Sequence, residues 1–114
     1  MPISVLVQAS SEVLRISLMR QLHGGPGLAV TASYPSAFSG TSRIVVIPVA
    51  DCSAFECRDL VEAGAAVIVL AALPSDKQRA AYLHAGATAY VSMTPGTPDL
   101  LDAVTSAAAT MVSH

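Results

Sequence analysis

Arg43-Ile44-Val45-Val46-Ile47-Pro48-Val49-Ala50-Asp51 is the stretch that decides the fold. Its run of β-branched aliphatic residues lies between Gly40-Thr41-Ser42 and Asp51-Cys52-Ser53, so it reads as a strand. No polar residue alternates into it, so both of its faces must be covered, as they are inside a parallel sheet. Pro48 sets its end, because proline cannot donate to a ladder. In an open α/β sheet, ligands bind just outside the carboxyl ends of such strands. A proline therefore stands where a reactive side chain would be expected.

Moving outward, Ile3-Ser4-Val5-Leu6-Val7 reads as a first strand and Gln8-Ala9-Ser10 as the turn leaving it. Ser10 or Ser11 can cap the helix that follows, whose core stripe is Leu14, Leu18 and Leu22. Gly24-Gly25-Pro26-Gly27 ends that helix, and Leu28 to Ala32 forms a second, edge strand. Only Ser33 to Ser42 separates it from the central strand, enough for one or two helical turns around Tyr34-Pro35-Ser36-Ala37-Phe38. Cys52 to Ala63 is expected to be helical, to carry Phe55, Leu60 and Val61, and to stop at Gly64.

Val67-Ile68-Val69-Leu70 is another wholly apolar strand. Ser75-Asp76-Lys77-Gln78 has the form of a capping box, with Ala80, Leu83 and Ala87 on one face behind it and Gly86 closing the helix. Ala89-Tyr90-Val91-Ser92 is the fifth strand. Thr97-Pro98-Asp99 then opens a last helix, whose inward stripe is Leu100, Val104, Ala108 and Met111. Strands alternating with helices in this way predict a flavodoxin-like, doubly wound, five-stranded parallel sheet in the order 2-1-3-4-5, with a shortened second helix.

The 114 residues suit a single domain over residues 1–114. With 53% hydrophobic and only 12% charged residues the chain is not a disordered one. The net charge is −2 and the six basic residues are scattered, so these residues carry no nucleic-acid footprint. The longest apolar run, Ala63 to Leu73, is eleven residues, too short to span a bilayer. No basic stretch followed by an apolar one opens the chain, and a cytoplasmic location is expected. Cys52 and Cys57 have no metal or redox spacing and read as packing residues; His23, His84 and His114 are isolated. No metal site, cofactor or enzymatic activity is expected. Gln8-Ala9-Ser10-Ser11 is not a glycine-rich phosphate loop, and no nucleophile is flanked by a base.

Three segments carry a resemblance: Val67-Ile68-Val69-Leu70-Ala71-Ala72-Leu73, Ala85-Gly86-Ala87-Thr88-Ala89-Tyr90-Val91, and Pro98-Asp99-Leu100-Leu101-Asp102-Ala103-Val104. Together they resemble the second half of a response-regulator receiver domain, closest in flavour to the receivers of LuxR-type helix-turn-helix transcription regulators. Val5-Leu6-Val7 with Leu14-Arg15 fits that family's first strand and helix. A receiver accepts a phosphoryl group on an aspartate ending its third strand. An acidic pair after the first strand holds Mg²⁺, a hydroxyl ends the fourth strand, and a lysine ends the fifth. Matched by position, the acidic pair falls on Ala9 and Ser10, the acceptor on Pro48, the hydroxyl on Ala71 and the lysine on Met93.

The resemblance thus implies a degenerate phosphoacceptor pocket with nothing charged in it. Asp51, three residues beyond the acceptor position, reads as a helix cap. Tyr90 matches the switch aromatic, with its usual hydroxyl partner missing, so the usual coupling is expected to be absent. The implied function is a phosphorylation-independent regulatory domain heading a transcription regulator, with DNA bound only through a segment beyond His114. The alternative is a ligand-sensing module that takes a small apolar metabolite into the emptied pocket. A homodimer is expected through the last helix, whose outward face would be Ala103, Ser106, Ala107 and Thr110.

Overall fold

The central strand lies between two others, as its unbroken apolar run requires. The computed structural model describes residues 3–23, 27–33, 44–93 and 99–112. Five strands, β1 (Ile3–Gln8), β2 (Leu28–Ser33), β3 (Ile44–Pro48), β4 (Ala66–Ala71) and β5 (Ala89–Ser92), form one sheet in the order β2-β1-β3-β4-β5. All four pairings are parallel. The helices are α1 (Glu12–His23), α2 (Ala54–Glu62), α3 (Asp76–His84) and α4 (Asp99–Val112), and a 3-10 turn, Val49–Asp51, follows β3. The expected helical turns between the second and central strands, and the cap at Thr97-Pro98, lie outside the described residues. Among the described residues no helix is long and apolar enough to cross a membrane.

Two cores flank the sheet, and β3 feeds both. Ile44 and Val46 pack with Leu18, Leu22, Leu100 and Val104 of α1 and α4. Val45 and Ile47 pack with Cys57, Leu60 and Tyr82 of α2 and α3. Successive side chains point to opposite faces, so a strand covered on both sides has no position left for a polar one. Pairing of β3 with β1 ends at Val7↔Val46, whereas pairing with β4 runs on to Pro48↔Leu70. The donor that Pro48 lacks falls where the β1 side of the ladder has already stopped.

Helix ends explain where the chain turns back to the sheet. Gly64 and Gly86 have φ of +99° and +105°, a region that favours glycine. After α3, the Gly86 N–H donates to the Leu83 carbonyl and the Ala87 N–H to that of Tyr82, both at 3.0 Å, which is a Schellman ending.

Four readings of the sequence are corrected. The second described helix begins at Ala54 rather than Cys52, because Ser53 caps it in a full capping box: the Glu56 N–H donates to Ser53 Oγ at 3.2 Å, and the Ser53 N–H to Glu56 Oε1 at 3.4 Å. That start rotates Phe55 away from the sheet, leaving it 80% exposed. In α3 the buried side chain is Tyr82, while Ala80 and Leu83 face outward, because the tyrosine hydroxyl finds a partner beneath the helix. In α4 Ala107 is buried with Leu100 and Val104, and Ala103 packs against the same core. Residues three and seven positions apart share a face, so Ala107 belongs to the inward stripe and not to an outward one. Of that expected face only Ser106 is described as exposed; the side chain of Thr110 lies outside the described residues.

Candidate functional site

The site is built where the strands end. Ala9 follows β1 and is buried, and Ser10 beside it is exposed. Pro48 ends β3, Ala71 ends β4, and both are buried. Met93 follows β5 and is half-buried, its N–H donating to the Ala71 carbonyl at 2.9 Å. Registers Val7↔Val46, Pro48↔Leu70 and Ala71↔Ser92 set these ends side by side. The five positions therefore lie along one edge of the sheet. Methyl, pyrrolidine and thioether groups there offer no carboxylate to a cation and no ammonium to a phosphoryl group. Ser10 supplies a single hydroxyl.

The expectation that nothing charged lies at this end is corrected. Asp51 does not cap α2; its Oδ2 accepts a hydrogen bond of 3.1 Å from the Ser10 N–H, joining the turn after β3 to the loop after β1. Arg15, half-buried in α1, donates from Nη1 to the Ala9 carbonyl at 2.5 Å. A carboxylate and a guanidinium thus each grip the backbone of the loop after β1. Ser11 completes the local structure by accepting from the Leu14 N–H at 3.2 Å as the cap of α1.

Away from this edge the polar groups form a ladder. The Tyr82 hydroxyl donates to the Cys52 carbonyl, just past the turn that follows β3. The Tyr82 ring stacks on Tyr90 of β5, with centroids 6.3 Å apart and planes 25° apart. The Tyr90 hydroxyl donates to Gln78 Oε1 and accepts from the Ser75 N–H at 3.2 Å. Ser75 caps α3 by accepting from the Gln78 N–H at 3.1 Å, but the Gln78 side chain is turned to Tyr90 instead of closing the expected box. Tyr90 is therefore coupled to its surroundings through the start of α3. The sequence names Gln78 only as the closing residue of a capping box and does not single out Tyr82 at all.

Burial, then the neighbouring Cys57, Glu56 and Asp51, push the Cys52 thiol up to about 12. Burial likewise raises Cys57 and Tyr82. Both cysteines are free and buried, which fits packing. An open cleft of about 470 Å³ lies between the start of α3, β5 and α4, lined by Ser75, Asp76, Arg79, Tyr90 and Asp102 among others.

No family model matches the chain, and no curated protein is a detectable relative. Solved structures do match. A response regulator from Thermotoga maritima is 21% identical, with a TM-score of 0.81 over 96% of this chain and 99% of its own. The fold is that of a response-regulator receiver. Other receiver-like chains superpose in the same way. A putative pilus assembly protein, CpaE, from Burkholderia thailandensis E264 is 19% identical, with a TM-score of 0.82 over 94% of this chain and 98% of its own. RcsB from Salmonella enterica serovar Typhimurium, bound to the rprA promoter, is 12% identical, with a TM-score of 0.77 over 91% of this chain and 67% of its own. On the receiver fold, the edge carrying Ala9, Pro48, Ala71 and Met93 is the place at which the resemblance locates phosphoryl chemistry.

Proposed function

We propose that this chain is a phosphorylation-independent pseudo-receiver: a regulatory domain that works by contact with a second copy or a partner protein, and not by catalysis. The observation that carries this reading is the strand-end register, which aligns Ala9, Pro48, Ala71 and Met93 with no metal ligand, acceptor or cation among them. These groups act together on one developing charge, so their losses compound. Incubation with acetyl phosphate and Mg²⁺, read by intact mass, tests it. A stable phosphoryl adduct, at Asp51 or elsewhere along this edge, overturns the reading.

The context we favour is the amino-terminal part of a transcription regulator, following the LuxR-type flavour of Ala85 to Val91 and Pro98 to Val104. DNA would then be bound by a segment beyond His114. A second context has support from the superposition on CpaE, whose TM-score of 0.82 matches the 0.81 to the response regulator. The same domain would then serve a pilus assembly protein. The reading frame beyond His114 distinguishes them: a helix-turn-helix segment supports the first, a segment of another kind the second. The ligand-sensing alternative has less behind it. Three of its expected walls, Ala9, Pro48 and Ala71, are buried, and Asp51 and Arg15 already hold the loop after β1.

A further inference from the structure

Phe55 is one of two phenylalanines in the chain, and its ring stands 80% exposed on α2. It borders a cleft of about 240 Å³ between α2 and α3, whose other walls are Ala54, Arg58, Ala81, His84 and Ala85. Three alanines make a shallow apolar floor. The flanking polar groups, Arg58 and His84, are both basic. Along α2 the exposed residues after Phe55 include Asp59 and Glu62, four and seven positions on, which one helical face brings into line. Among the described residues no ion pair engages Arg58, His84, Asp59 or Glu62.

We propose that this α2–α3 face is self-complementary and joins two copies of the chain. A two-fold axis makes each patch its own partner, so residue i of one copy meets residue j of the other and the reverse. Under that operation the two Phe55 rings pack together, each covering the other copy's alanine floor. Asp59 and Glu62 of one copy meet Arg58 and His84 of the other. A single apolar anchor ringed by complementary charge is the pattern of an interface hot spot. The face commits to a second copy by charge: Arg58 and His84 rim the cleft, and the adjoining face of α2 carries Asp59 and Glu62, so each copy supplies the acids that answer the other's basic rim. It lies across the sheet from α4, uses none of the strand-end residues, and is independent of the proposal on phosphorylation.

Sedimentation velocity from micromolar to millimolar protein tests it. The unmodified chain should dimerise. Phe55→Ser, at an exposed position, should keep the circular dichroism of the fold and raise the dissociation constant about tenfold or more. Arg58→Glu and Glu62→Arg should each be monomeric where the unmodified chain is dimeric. An equimolar mixture of these two variants should dimerise again, because each restores the other's pair across the axis. A chain that stays monomeric throughout overturns the proposal. So does a dimer undisturbed by Phe55→Ser, or a mixture no tighter than its components.

Discussion

The hydroxyl of Tyr90 donates to the side-chain oxygen of Gln78 and accepts from the backbone of Ser75, so one β5 tyrosine closes the first turn of α3. The resemblance to receivers would pair a tyrosine in this place with a hydroxyl at the end of β4, and Ala71 has none. Its partners are instead local to α3. The expected consequence is a ring held in one position whatever happens at the strand ends.

Tyr90→Phe should cost about 1–2 kcal/mol, since one hydroxyl serves two partners in a part-buried place. Gln78→Ala should cost less. Urea unfolding of both variants and the double variant should give a coupling of about 0.5–1 kcal/mol. Strict additivity would mean the contact carries no energy.

Tyr82→Phe removes the hydroxyl that donates to the Cys52 carbonyl in a buried setting, and a loss of about 1–3 kcal/mol is expected. Thermal unfolding should show it as a fall of several degrees. An unchanged midpoint would show that water replaces the hydroxyl without cost.

Stability should fall as pH rises above about 9. In the unfolded chain Cys52 loses its proton near the ordinary value of 9.0, whereas the folded chain holds it to about 12. Between those values the unfolded state binds fewer protons, so the slope of stability against pH is negative. The raised Cys57 and Tyr82 add to it with the same sign. Urea midpoints measured across this range should decline for the unmodified protein and less steeply for Cys52→Ala. A flat profile in both would contradict the burial argument.

Pro48→Asp alone should not confer phosphorylation by acetyl phosphate, because Ala9, Ser10, Ala71 and Met93 remain. Adding Asp at positions 9 and 10 should bring Mg²⁺ binding, seen by calorimetry, before it brings transfer. A phosphoryl adduct on the single variant would refute the compounding of losses.

Ala107→Glu should unfold the domain and not merely separate subunits. The residue is 6% exposed among Leu100, Val104 and Leu22, and an unpaired buried carboxylate costs about 3 kcal/mol or more. Association through α4 is better examined at exposed Ser106. Retained folding of Ala107→Glu by circular dichroism would mean that α4 shifts readily on the sheet.

Sheet order and strand positions were legible because β3 and β4 are unbroken apolar runs, and runs of that kind admit only a doubly covered sheet. Caps with side-chain oxygens were legible at Ser75 and, as one of two candidates beside Ser10, at Ser11. What the sequence hid was rotation about the helix axes. Phe55 looked like core by hydrophobicity, and only the capping box at Ser53 and Glu56 shows which way α2 faces. Ala107 looked like surface because alanine fits either side of α4. The strand-end positions were readable one by one, yet the reach of Asp51 to Ser10, 41 residues away in sequence, is a long-range contact that no local pattern encodes.

The chain contains no tryptophan and three tyrosines, one of which, Tyr34, lies outside the described residues. Tyr82 and Tyr90, stacked 6.3 Å apart, are near enough for their electronic transitions to mix. Near-ultraviolet ellipticity and tyrosine emission, normally swamped by indole, thus become a native optical gauge of the seam between α3 and β5. Followed beside the far-ultraviolet helical band, they would register the parting of that seam as an event distinct from melting of the whole domain, with no label attached.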